Sequence, residues 1–276
     1  MPDARAADPP GREGLFPIPC AFAPSGVAGM VLALVSCKRR AESAVRIDQF
    51  RLVQVVHEGL YGPVYRGLHE KTQQPVALQI LRGTQSKPPL QALQAHLQTL
   101  QKLAFPGVPV PLGCGLLPDG AAYLASQWID GQPLSFRNRA RTQALRFAQE
   151  LSACLSATHQ HGIHHLQLHP NQVLVRESTE ARPRCFVLDL GLCQLLGPPP
   201  TPLPAEALDM LAPERRTDPG LTTNAGAADV YSLGKILQGL LGLAQADTPD
   251  GLVSGEGFLS VLQFELGQLQ TPANAG

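Results

Sequence analysis

The spacing of apolar residues changes along this chain, and that change limits the folds open to it. Up to about residue 128 the dominant pattern is alternation, which suits half-buried strands. Gln49–Val56, Val64–Leu68, Gln74–Leu81 and Ala121–Trp128 read as strands, with a turn around Glu70–Gln73. One helix is expected within this stretch, over residues 89–103, where Leu recurs at 90, 93, 97, 100 and 103 with Gln on the other face. Further on, helical spacing takes over. Thr142–His161 carries Leu145, Ala148, Leu151 and Leu155 on one stripe, and Asp229–Leu243 is an apolar helix. Only Val173–Val175 and Cys185–Leu188 read as short strands there. A sheet-forming part followed by a helical part predicts an α+β protein with a small sheet lobe and a helical lobe. No internal repeat is visible.

Composition narrows the partners. The chain has 276 residues, 44% of them hydrophobic, enough for one large domain or two modest lobes. Formal net charge is zero and aromatics make up 5%, so nothing favours nucleic acid as a partner, by charge or by stacking. The cysteines at 20, 37, 114, 154, 185 and 193 are scattered, with no CxxC pair. They read as free thiols of a reducing compartment. Residues 1–45 form a flexible extension, followed by a sheet lobe over 46–128 and a helical lobe over 129–276. Within the extension, residues 14–37 are uncharged and precede Lys38-Arg39-Arg40. Only Gly26–Cys37 is a clean apolar run, short of the ~20 residues a spanning helix needs. Three readings of it stay open: a loosely packed extension, a tilted membrane tether with the folded part on the cytoplasmic side, or a lipoprotein signal ending at Leu34-Val35-Ser36-Cys37. The expected location is cytoplasmic, with membrane association through 14–37 as the variant.

Residues 162–175 read GIHHLQLHPNQVLV. With what surrounds it, this segment resembles the catalytic loop of the eukaryotic-like serine/threonine protein kinases, a family also common in bacteria, whose pattern is H-R-D-L-x-P-x-N before a short strand. The resemblance covers roughly residues 48–243 and rests on several landmarks in the right order. It implies a two-lobed kinase-like fold. Val64 and Ala77 match residues above an adenine ring, and Leu174 the one beneath it. Tyr123–Trp128 followed by Ile129-Asp130-Gly131 resembles the hinge between lobes, with Ser126 near the gatekeeper place and Trp128 in the hinge. His165 matches the loop histidine, expected to stack near Leu190 and Leu100. Ala212-Pro213-Glu214 matches the A-P-E that closes the activation segment. Asp229-Val230-Tyr231-Ser232-Leu233-Gly234 resembles the start of the central helix, whose Asp receives N–H groups of the catalytic loop.

The positions that handle phosphate depart from the pattern. The glycine-rich loop reads His57-Glu58-Gly59-Leu60-Tyr61-Gly62, keeping Gly59 and Gly62 but replacing the first glycine. Gln79 stands for the phosphate-pairing lysine and has no charge to offer. His96 falls where that lysine's glutamate partner belongs. Gln167 replaces the catalytic Asp and has no carboxylate to act as a base. Gln172 replaces the metal-binding Asn and is one methylene longer. Asp189, in Asp189-Leu190-Gly191, is kept and is a weak candidate for a metal, since one carboxylate alone holds Mg²⁺ poorly. Phosphoryl transfer depends on positioning and electrostatics, so four substituted positions leave no evident route to turnover. The segment 189–214 holds Pro198-Pro199-Pro200-Thr201-Pro202, with Thr201 its one hydroxyl side chain. No Lys or Arg follows Lys235, so an arginine partner for Glu214 is missing, and the family's last helices are expected to be shortened to one near Gly257–Gln270.

The expected function is therefore that of a pseudokinase, which works through another protein: an active kinase or its substrate. No cofactor is required; ATP is admitted as a ligand and Mg²⁺ is doubtful. Two alternatives stand beside it, a nucleotide-binding switch that needs no Mg²⁺ and a weakly active serine/threonine kinase that binds ATP. Among smaller readings, His169 is a substitute base in the loop, and the histidines at 159, 161, 164, 165 and 169 are a metal cluster. Each has a plain alternative as ordinary polar lining.

Overall fold

The computed structural model describes residues 45–82, 90–136, 140–176, 184–200 and 202–242. The segment 14–37, Thr201 and the expected helix near 257–270 lie outside the described residues.

Six antiparallel strands form the first sheet, in the order β1-β2-β3-β4-β6-β5. They are β1 (Arg46–Ile47), β2 (Phe50–Gly59), β3 (Gly62–His69), β4 (Pro75–Leu81), β5 (Pro111–Leu116) and β6 (Ala122–Gln127). Alternation explains the pattern. Tyr65, Leu78 and Ala125 point to one side and join Phe50, Leu52, Val76 and Ile80 in a compact core. Val64 lies opposite Gln79, and Ala77 lies between Arg66 and Ser126 in the register, so this second set shares the other side. Two register shifts in β2, at Leu52/Gln54 and Val55/His57, bend the strand over the sheet. β5 was not expected, because Pro109, Pro111, Gly113 and Gly115 read as turn residues. An edge strand tolerates them.

Helix α1 (Leu90–Leu103) confirms the leucine spacing. Leu93 and Leu97 pack toward the sheet with Leu81 and Leu124. Leu100 joins the larger core instead. One helical stripe thus ties the two lobes together. The larger core is built by α2 (Arg141–His159), which packs Leu145, Phe147, Leu151 and Leu155 against Val173, Val175 and Val187 of a three-stranded sheet. That sheet is β7 (Gln132–Pro133), β8 (Val173–Arg176) and β9 (Arg184–Val187). Between β9 and the last described helix come three short helices that no sequence period announced, α3 (Leu192–Leu196), α4 (Ala205–Leu208) and α5 (Pro213–Thr217). Helix α6 (Ala225–Leu241) closes the core with Leu233, Ile236, Leu237 and Leu240. The fold is α+β and two-lobed, kinase-like, with a curled antiparallel sheet above a helical part. Among the described residues no helix is long and apolar enough to cross a membrane.

The turn between β2 and β3 is the tightest point of the sheet. Gly62 sits at φ +132°, and a Cβ there would come within 2.1 Å of the Ile80 carbonyl oxygen. Gly113 on β5 has open space instead. Gly62→Ala should therefore cost about 2 kcal/mol or more in urea unfolding, while Gly113→Ala should stay within about 0.5 kcal/mol of wild type.

Candidate functional site

The site is built on one buried carboxylate. Asp229, at the first turns of α6, is 0% exposed. It accepts the backbone N–H groups of His165 at 2.7 Å and Leu166 at 2.6 Å, and contacts His159 Nε2 at 2.9 Å. These bonds hold Leu166 at φ +67°, a left-handed conformation that costs a branched residue about 1 kcal/mol or more. The expectation for Asp229 is met by this geometry. His165 Nδ1 accepts the Gln167 N–H at 3.3 Å, which leaves the ring proton on Nε2, a buried atom with no partner in full hydrogen-bond geometry among the described residues. Burial lowers the His165 pKa, against the opposing pull of Asp229 and Asp189.

Above this loop the register of β3, β4 and β6 aligns Val64, Ala77, Gln79 and Ser126 on the side facing the lower lobe. The structure brings the phosphate-end positions together. Gln79, Gln167 and Gln172 are all buried. Gln172 Nε2 donates to Asp189 Oδ2 at 3.2 Å. Gln79 Nε2 also faces the Asp189 carboxyl, outside full hydrogen-bond geometry, and has no other partner among the described residues. Asp189 is half-buried by surface exposure, while protein packs closely around its carboxyl group. That desolvation raises its pKa, against a smaller opposing pull from His165 and the two amides. His96 does not meet Gln79. Its Nε2 donates to the Leu190 carbonyl at 2.9 Å, and its ring lies where any Cβ on Gly191 would fall, 2.4 Å away. Burial lowers the His96 pKa too, with the Leu190 contact pulling the other way.

The opposite end of the cleft has a different character. Val64, Ala77, Ser126, Trp128 and Leu174 are only half-buried. The guanidinium of Arg66 stacks 5.3 Å from the centre of the Trp128 ring. Gly59 and Gly62 are buried at the other end, and so is Tyr61 between them. The Tyr61 hydroxyl lies 3.3 Å from Gln167 Oε1 and 3.0 Å from the Gly197 carbonyl. Sequence reasoning passed over Tyr61, Arg66, Cys193 and Arg215; the signal for Tyr61 was an aromatic set between close glycines.

A Mg²⁺ ion requires several hard oxygen donors in octahedral array. Here two amide nitrogens face the one carboxylate, so Asp189 and its neighbours do not fit that ion. Among the described residues no group of three or more His, Cys, Asp or Glu side chains is placed to hold a metal, and the histidines of 159–169 are not gathered into one. His169 is buried with a pKa lowered to about 4, chiefly by burial, which makes it a poor base.

No protein-family model matches the chain. Curated relatives do. Serine/threonine-protein kinase Pkn1 of Myxococcus xanthus is 28% identical over 207 residues, covering 71% of this chain and 29% of the relative. Serine/threonine-protein kinase PknD of Mycobacterium tuberculosis is 24% identical over 198 residues, covering 68% and 29%. Cell division control protein 2 homolog 3 of Trypanosoma brucei brucei is 30% identical over 156 residues, covering 54% and 48%. The chain is similar to bacterial-type serine/threonine protein kinases at modest identity, in keeping with its kinase-like fold. It spans less than half the length of each of these three relatives.

In this kinase-like domain two carboxylates carry opposite expectations. Asp229→Ala orphans two buried N–H groups and should destabilise by about 3 kcal/mol or more in chemical denaturation. A carboxyl with a raised folded pKa contributes most at low pH, and that contribution is lost as pH rises through the folded value. Asp189→Asn should therefore raise Tm at pH 8, and the gain should shrink as pH falls through the raised folded value and be gone below about 4, where both side chains are neutral.

Proposed function

We propose that this kinase-like domain does not transfer phosphate and acts as a pseudokinase, binding another protein, an active kinase or its substrate. The observation that carries this reading is the shell around Asp189. In phosphoryl transfer a lysine and metal ions neutralise the developing charge. Here the carboxylate is met by the uncharged amides of Gln172 and Gln79. Gln167, at the place of the base, accepts a hydrogen bond from Tyr61 through its amide oxygen and has no group that takes up a proton. His96 is engaged with the Leu190 backbone and forms no ion pair with position 79. The architecture supporting the loop is kept, through Asp229, while charge handling is gone.

A second reading has its own support. Val64, Ala77, Ser126, Trp128 and Leu174 are all half-buried, and Val64, Ala77 and Ser126 share one side of the upper sheet. This favours a domain that takes a nucleotide through its base, without Mg²⁺, and uses it as a switch.

Labelled ATP with Mg²⁺ separates these functions. The full chain should label neither itself nor a generic protein substrate. Labelling that Asp189→Ala abolishes would overturn the pseudokinase reading and leave a weakly active kinase. Melting the protein with ATP in EDTA tests the switch, because bound ligand raises stability by RT ln(1 + [L]/Kd). A shift of several degrees at millimolar ATP, unchanged by Mg²⁺, is its expected signature; no shift removes it.

A further inference from the structure

Tyr61 joins the glycine-bounded turn to the lower lobe through a buried run of polar contacts. Its ring is 1% exposed and packs against Leu81, Leu93, Leu97 and Leu192. Its hydroxyl meets Gln167 and the Gly197 carbonyl at the end of α3, and the Cys193 thiol on α3 lies beside it, outside full hydrogen-bond geometry. The Cys193 sulfur in turn accepts a hydrogen bond from Arg215 Nη2 on α5, at 3.2 Å. Arg215 is 1% exposed, and its Nη1 donates to the Leu221 carbonyl. Among the described residues no carboxylate forms an ion pair with this guanidinium, and its Nε has no partner. A buried cation without a counter-charge depends on every dipole turned toward it. Here those are a backbone carbonyl and a thiol whose other neighbour is Tyr61.

The three side chains come from three separate elements, the β2–β3 turn, α3 and α5, far apart in sequence. Burial pushes the Tyr61 phenol far above its ordinary range, so it remains an O–H donor at any working pH. It pushes the Cys193 thiol up as well, with the Arg215 charge opposing, so the sulfur stays a thiol.

We propose that Tyr61, Cys193 and Arg215 form a clasp that holds the glycine-bounded turn shut over the phosphate end of the cleft and couples that turn to α5. A group entering the phosphate end must displace the Tyr61 hydroxyl from Gln167. Displacement strips Cys193 of one neighbour and leaves Arg215 less well satisfied, which loosens α3 and α5. The coupling is reciprocal: a protein that docks on α5 and shifts Arg215 loosens the turn. The clasp stands whether or not the domain transfers phosphate.

Amide hydrogen exchange on the full chain tests it. Tyr61→Phe keeps the ring and deletes the hydroxyl. It should speed exchange about fivefold or more, the weight of one buried hydrogen bond, at 59–62, 192–197 and 213–221 together. Arg215→Met, with similar volume, should speed exchange at 59–62 from the far end. Cys193→Ala reads the middle of the clasp should Arg215→Met fail to fold. Changes confined to the mutated element, or no change beyond it, in Tyr61→Phe and in either of the other two variants would overturn the clasp.

Discussion

The lower half of the cleft depends on Asp229. A buried carboxylate is costly unless its lone pairs are filled. Two backbone N–H groups and a histidine ring fill them here. The benefit runs both ways, because the loop at 165–172 has few regular backbone partners and bends through a left-handed Leu166. Without the carboxylate that bend has no support. With it, Gln167 and Gln172 are delivered to fixed places beneath the upper sheet. The residues that would do chemistry are thus positioned by one that does none.

What is positioned has been rewritten in neutral groups, and the rewriting is mutually consistent. Once Gln79 replaces a cation, Asp189 loses its natural partner in the upper lobe, and an amide from below, Gln172, takes part of the role. Dipoles satisfy a carboxylate less fully than a charge does, which agrees with the raised pKa of Asp189. His96 completes the change. A neutral imidazole N–H bonds the Leu190 carbonyl directly, so α1 is tied to the segment around Gly191 by a short hydrogen bond. The connection between α1 and the cleft floor is kept with no ion pair in it.

The sequence announced whatever repeats with a regular period. The strands at 50–59, 62–69, 75–81 and 122–127 and the helices at 90–103 and 141–159 follow from alternation and leucine spacing. Their ends move by one to three residues, because hydrogen bonding continues past the apolar pattern, as at His57–Gly59. Pieces too short to show a period stayed hidden, α3 to α5 above all. β5 was masked by its prolines and glycines. In the site, the structure gathers Gln79, Gln167, Gln172 and Asp189 at one end of the cleft, while His96 turns to Leu190 instead of Gln79. Their contacts were not legible. No pattern tells that Gln167 accepts from Tyr61, or that His96 turns to a backbone carbonyl, because each contact depends on a rotamer chosen by packing from other elements.

The two ends of the cleft now differ in what they can admit. At the hinge end, half-buried apolar side chains and Trp128 leave surface that a flat ring would cover, at a gain of about 25 cal/mol per Å². At the other end, a buried ring, three amides and a carboxylate short of partners would meet a polyphosphate with no cation in the first contacts. Like charge at Asp189 adds to that cost. On the proposed reading the cleft would select by charge along its own length, and no single residue would account for the selection. It would rest on the uncharged side chains of Gln79, Gln167 and Gln172 together, above and on a loop that Asp229 holds in shape.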